Sequence, residues 1–128
     1  MVVKVRKKIL IIDREPRITG PVREALESIG RYSIREEHDA AFAVHAARWF
    51  QPDLIMVDLS VPSTDGELVA QRLQNDCELR DTPLLCLSQF VSGPEFLSAG
   101  ILSGYSFLAS PVPIEHLIRA VDQMLFGR

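Results

Sequence analysis

With 128 residues, 47% of them apolar, the chain has room for one domain with a single sheet and its covering helices, and it is too apolar for a disordered tail. A formal net charge of −3 argues against non-specific nucleic-acid binding, and no apolar run is long enough to cross a bilayer or to serve as a signal segment. The two cysteines, Cys77 and Cys86, lack metal-ligand spacing, and unpaired thiols fit a reducing, cytoplasmic setting.

The basic start, Lys4, Arg6, Lys7 and Lys8, reads as a solvated lead-in to the first strand. Ile9-Leu10-Ile11-Ile12 is a continuous apolar run closed by Asp13, the pattern of a buried parallel strand. Pro16 suits the first turn of a helix that carries Ile18, Val22, Ala25, Leu26 and Ile29 at helical spacing and stops at Gly30; Gly20 inside it costs about 1 kcal/mol against Ala. Tyr32 to Ile34 reads as a short strand. Asp39 caps a second helix with Phe42, His45, Ala46 and Trp49 on its packed face. Leu54 to Asp58 forms a third strand, Leu68, Val69 and Leu73 mark a third helix, and Pro83 to Leu87 a fourth strand holding a buried Cys86. Glu95 to Leu102 looks helical despite Gly93, Gly100 and Gly104, Ser106 to Leu108 reads as a fifth strand, and Ile114, Leu117, Ile118, Val121 and Leu125 make an amphipathic last helix.

Five strands alternating with helices, without repeats or linkers, require parallel pairing with crossover connections. The expected fold is α/β: a flavodoxin-like, doubly wound, five-stranded parallel sheet of order 2-1-3-4-5. It forms a single domain over residues 1–128 with its core at about 7–126.

Such a sheet brings the carboxyl ends of its strands to one rim, so Asp13, Asp58, Ser88 and Ser110 should gather there. Two carboxylates at that rim suit a hard divalent cation. Mg²⁺ takes one or two carboxylates, keeps several waters and completes its shell with phosphate oxygens. Asp58 is then placed to act as a nucleophile towards phosphorus.

The segment Pro52-Asp53-Leu54-Ile55-Met56-Val57-Asp58-Leu59-Ser60-Val61-Pro62-Ser63-Thr64-Asp65-Gly66 resembles the phosphoacceptor segment of two-component response-regulator receiver domains. The Ile-Asp-Arg-Glu-Pro end of strand one, Thr82-Pro83 leading to Ser88, Phe107, and Ser110-Pro111 extend the likeness over nearly the whole chain. The resemblance implies that Asp58 accepts a phosphoryl group from a sensor histidine kinase or phosphotransfer protein. It further implies that the Ser60 carbonyl joins Asp13 and Asp58 around Mg²⁺, that Ser88 is the switch hydroxyl, and that Phe107 is the switch aromatic. The face of the fourth helix, fifth strand and last helix would carry the change to a downstream protein target or a second copy of the chain. In this reading the protein is not an enzyme beyond slow self-dephosphorylation, and it contacts neither nucleic acid nor membrane.

Two positions depart from the family pattern. The second acid of strand one is Arg14, followed by Glu15, and the usual lysine before Pro111 is Ser110. A phosphoryl group brings nearly two negative charges, so a missing cation matters. Arg14 either points to solvent, stands in for the lysine or the metal, or pairs with Asp58 and blocks the reaction; Glu15 is a substitute metal ligand. The last outcome for Arg14 leaves the alternative of a phosphorylation-independent pseudo-receiver that docks proteins. A phosphatase built on Asp13 lacks the second Asp and lysine that such hydrolases use. An FMN site lacks a Gly/Ser/Thr-rich phosphate loop.

Overall fold

Unbroken apolar runs need cover on both faces, and β1 (Lys7–Ile12) and β3 (Leu54–Asp58) obtain it at the centre of one sheet. The computed structural model describes residues 6–13, 16–58, 65–88, 101–102, 105–109 and 114–127. After β1 come α1 (Pro16–Ile29), β2 (Tyr32–Glu37), a 3-10 turn (Ala40–Phe42) and α2 (Ala43–Phe50). Beyond β3 follow α3 (Asp65–Asn75), β4 (Leu84–Ser88), β5 (Ile101–Leu102), β6 (Tyr105–Ala109) and α4 (Ile114–Phe126).

The strands lie in the order β2-β1-β3-β4-β6-β5, parallel throughout except for the antiparallel β5–β6 pair. Strands β2, β1, β3 and β4 follow the expected doubly wound order. With β6 next to β4, the five parallel strands take the expected 2-1-3-4-5 order, and the two-residue β5 adds a short antiparallel strand at the edge beyond β6. Ile101 and Leu102, expected at the end of a helix, pair instead with Ser106 and Tyr105. Pairing there satisfies backbone groups along the otherwise open edge of β6, which continued helix would leave unpaired. The rest of that expected helix lies outside the described residues.

Two apolar layers sandwich the sheet. Ile9, Ile11, Leu54, Met56 and Leu85 pack with Leu26 of α1 and with Leu117 and Val121 of α4. On the other face Leu10, Ile12, Ile55, Val57, Leu84 and Cys86 pack with Ala43, Ala46 and Ala47 of α2 and with Val69, Ala70 and Leu73 of α3. Alternate residues of each strand thus feed opposite layers, as the two-residue period of a strand requires.

α2 is rotated by one residue from the expected phase. Its buried stripe is Ala43, Ala46 and Ala47 with Phe50 packed against it, which lets the helix lie close to the sheet. The bulky residues expected to pack it down face outward: Phe42 and Trp49 are 55% and 67% exposed, and His45 is exposed as well. Trp49 is held from outside, with the Arg35 guanidinium 4.5 Å from its ring centroid. Asp39 does cap this segment, but through the 3-10 turn, where its carboxylate accepts from the Ala41 N–H at 2.9 Å. The helix ends at Gln51 in the left-handed region, φ 53°.

Candidate functional site at the carboxyl edge of the sheet

Strand register, not sequence proximity, assembles the site. Ile12 pairs with Glu37 on one side and Val57 on the other, and Val57 pairs with Cys86, which pairs with Phe107. One step further along, Asp58 pairs with Leu87 and Leu87 with Leu108; Ser88 pairs with Ala109. Asp13 directly follows Ile12, so its backbone lies beside that of Asp58 at the end of two neighbouring parallel strands. His38, directly after Glu37, continues the same row on the other flank of Asp13.

Asp13 is the buried acid of this edge, with 2% of its surface exposed. Its N–H donates to the Glu37 carbonyl at 3.1 Å, which ties the end of β1 to β2. His38 closes over it: Nδ1 hydrogen-bonds the Asp13 carbonyl oxygen at 3.1 Å and lies 2.9 Å from the carboxylate Oδ1. Partial burial by itself lowers the imidazole pKa. The Asp13 carbonyl and carboxylate and the nearby Glu36 outweigh it and raise the value above that of a free histidine. Glu36 is anchored by Arg23 of α1, whose Nη1 donates to Oε2 at 2.9 Å. Cys86, fully buried one row inside the edge, has its thiol pKa pushed up to about 12 by burial, so it is an inert core residue.

Arg14, Glu15, Ser60 and Ser110 lie outside the described residues. Asp58, Ser88 and Phe107 are placed by backbone alone, at the register positions given above. Among the described residues no three His, Cys, Asp or Glu side chains group as a metal site. What the edge does supply is a buried carboxylate at Asp13 with a second acid on the adjoining strand, a hard-oxygen donor set that suits Mg²⁺. Two surface hollows of about 410 and 420 Å³ lie elsewhere, around Tyr32 and Arg119 and around Pro52 and Thr82, at the amino ends of strands and away from this edge.

A family model described as the response regulator receiver domain matches residues 9–122. The chain belongs to the response-regulator receiver family. The receiver is 33% identical over 118 residues to the DNA-binding dual master transcriptional regulator RpaA of Synechocystis; the match covers 92% of this chain but only 48% of that regulator, so the chain spans about half its length. The polar-differentiation response regulator DivK of Brucella anthropi is 26% identical over 121 residues, covering 93% of this chain and 96% of that protein. Among solved structures, the receiver domain of Francisella response regulator 1452 superposes with a TM-score of 0.80 at 24% identity, covering 95% and 98% of the two chains. The signal receiver domain of a signal transduction histidine kinase from Syntrophus aciditrophicus gives 0.77 at 26% identity, covering 94% and 91%. The protein is therefore a receiver of two-component signalling, and no described helix of it is long and apolar enough to cross a membrane.

His38 is the part of the receiver's edge that its sequence did not advertise. The sequence signal for the second strand covers only Tyr32 to Ile34, whereas β2 runs on through Arg35, Glu36 and Glu37. β2 is an edge strand, where charged residues are tolerated, and its extension to Glu37 carries His38 to the rim. The signal available in sequence was the tie between strand ends: every residue that follows a parallel strand here reaches the same edge.

Proposed function

We propose that this receiver accepts a phosphoryl group on Asp58 from a sensor histidine kinase or phosphotransfer partner and relays the change to a protein target. The single observation that carries the reading is the register of β1 and β3, which sets Asp13 beside Asp58 at the edge where open α/β sheets place their chemistry. Asp13, Asp58 and the Ser60 carbonyl would hold Mg²⁺, with Glu15 as a further oxygen donor. The cation supplies neutralisation of charge on the phosphoryl oxygens. An Asp58 carboxylate oxygen attacks phosphorus, the P–N bond of the donor phosphohistidine breaks, and the imidazole nitrogen leaves with the electron pair. The Ser88 hydroxyl then donates to a phosphoryl oxygen, and Phe107 responds to that movement. In place of the usual lysine cation, Ser110 offers one hydrogen bond and Arg14 a full positive charge. The acyl phosphate is lost slowly to water, so the domain is a timed acceptor and not a turnover enzyme.

Incubation with radiolabelled acetyl phosphate and saturating Mg²⁺ tests this. A base-labile label on the wild type, absent from Asp58→Asn, is expected. A folded wild type that takes up no label would overturn phosphoacceptance and leave a docking module held in one state.

A further inference from the structure

His38 takes no part in the phosphoryl chemistry just described, yet its side chain reaches Asp13 from the end of the neighbouring strand. Its Nδ1 hydrogen-bonds the main-chain carbonyl of Asp13 at 3.1 Å and lies within ion-pair distance, 2.9 Å, of the carboxylate Oδ1. Both oxygens only accept, so Nδ1 must be the protonated nitrogen. The other ring nitrogen is 3.8 Å from Oε2 of Glu36. That oxygen accepts from Arg23 Nη1 at 2.9 Å, and Arg23 Nε donates to Glu27 at 3.0 Å. A row of five charged and polar side chains thus runs from the surface of α1, across β2, to the buried carboxylate at the end of β1, hydrogen-bonded from Glu27 to Glu36 and joined electrostatically from there to Asp13. The ring is half-exposed, so no core packing explains its orientation; it is held at Nδ1 by the Asp13 carbonyl, while Nε2 makes only a long electrostatic contact with Glu36.

The geometry points to His38 as a positioning residue for Asp13: β2 uses it to set both the main chain and the carboxylate of the acid that faces the cation. The inference rests on the reading of Asp13 as a Mg²⁺ ligand. Mg²⁺ demands near-ideal octahedral geometry and tolerates a misplaced ligand poorly. Carboxylates that ligate metals are themselves oriented by hydrogen bonds, and loss of such a partner typically costs about 10–100-fold in affinity. The demand is sharper in this chain than in one with two adjacent acids, because the residue after Asp13 is Arg14.

The test is Mg²⁺ binding by titration calorimetry at pH 8, with amide NMR shifts of Asp13 as a second readout. The proteins are the wild type, His38→Ala and His38→Asn, and their thermal melts are recorded alongside. Asn places an amide nitrogen where Nδ1 stands, so it keeps the donor and removes the ring. His38→Ala should bind Mg²⁺ about 10–100-fold more weakly, and His38→Asn should stay within about threefold of wild type. A purely structural role predicts a lowered melting temperature with unchanged Mg²⁺ affinity, and that result overturns the inference, as does tighter binding by His38→Ala. If the wild type binds Mg²⁺ and the variants do not differ, only the role of His38 fails. If the wild type takes up no Mg²⁺ at all, the metal reading and this inference fail together.

Discussion

Thiol labelling offers a quantitative check on the central strand that leads into the site. Cys86 is fully buried in β4, pairs with Val57 of β3 and Phe107 of β6, and lies one row inside the edge occupied by Asp58. Its pKa is pushed up to about 12 by burial. At about pH 8 only about 10⁻⁴ of such a thiol is ionised, against about a quarter of a thiol with the ordinary value near 8.5. Ionisation alone therefore slows attack on a disulfide reagent by about 2,000-fold. The greater intrinsic nucleophilicity of the more basic thiolate returns about 30-fold of this, leaving roughly 10². Burial lowers the rate further, because the reagent must wait for an opening of the core. Cys77 is exposed and needs no such opening. The assay uses Cys77→Ser, which leaves Cys86, and Cys86→Ser, which leaves Cys77, with a chromogenic disulfide reagent. Native Cys77→Ser should react at least about 10²-fold more slowly than native Cys86→Ser, and the two should converge in denaturant. Native rates within tenfold of each other would refute the placement of Cys86 and of the register around it.

Trp49→Ala should cost less than about 1 kcal/mol in urea unfolding, because the ring is two-thirds exposed and stacks beneath the Arg35 guanidinium; a loss of about 3 kcal/mol or more, the size for a buried Trp, would contradict the phase of α2. Gln51→Gly should stabilise by about 0.5–1 kcal/mol, read as a higher urea midpoint, because a left-handed φ of 53° strains any residue with a Cβ; destabilisation would count against that backbone geometry. The hydrogen bond from Arg48 holds the Asp76 carboxyl below the usual carboxylate range, outweighing desolvation, which acts in the opposite direction. A lowered folded pKa gives stability that is present above the unfolded value near about 3.9 and lost as pH falls through the folded one. The melting-temperature gap between wild type and Asp76→Asn should thus shrink between about pH 6 and about pH 3; a gap that stays constant would exclude the ion pair as its source.

The central strands were legible because burial on both faces leaves an unmistakable mark: Ile9 to Ile12 and Leu54 to Val57 are unbroken apolar runs, and both are buried. The acids that close them were legible for the same reason, since Asp13 and Asp58 interrupt runs that otherwise read as core. The charged edge strand was less so. Arg35, Glu36 and Glu37 carry no apolar alternation, and their pairing with Leu10, Ile11 and Ile12 is set by the neighbour strand and not by their own propensity. That borrowed pairing is what carries His38 to the rim, so no local signal in the sequence marks it. The phase of α2 was misread because alanine is a weak hydrophobic signal. Phe42 and Trp49 offer far more apolar area than Ala43 and Ala47, yet close packing against the sheet selects the small side chains.

The most direct test of the account is a Mg²⁺ and beryllofluoride titration followed by amide NMR. Beryllofluoride mimics a phosphoryl group on a carboxylate, so a working switch should shift the Ser88 and Phe107 amides together with those flanking Asp58, in wild type and not in Asp58→Asn. A folded wild-type protein whose Ser88 and Phe107 resonances stay in place at saturating Mg²⁺ and beryllofluoride would contradict it.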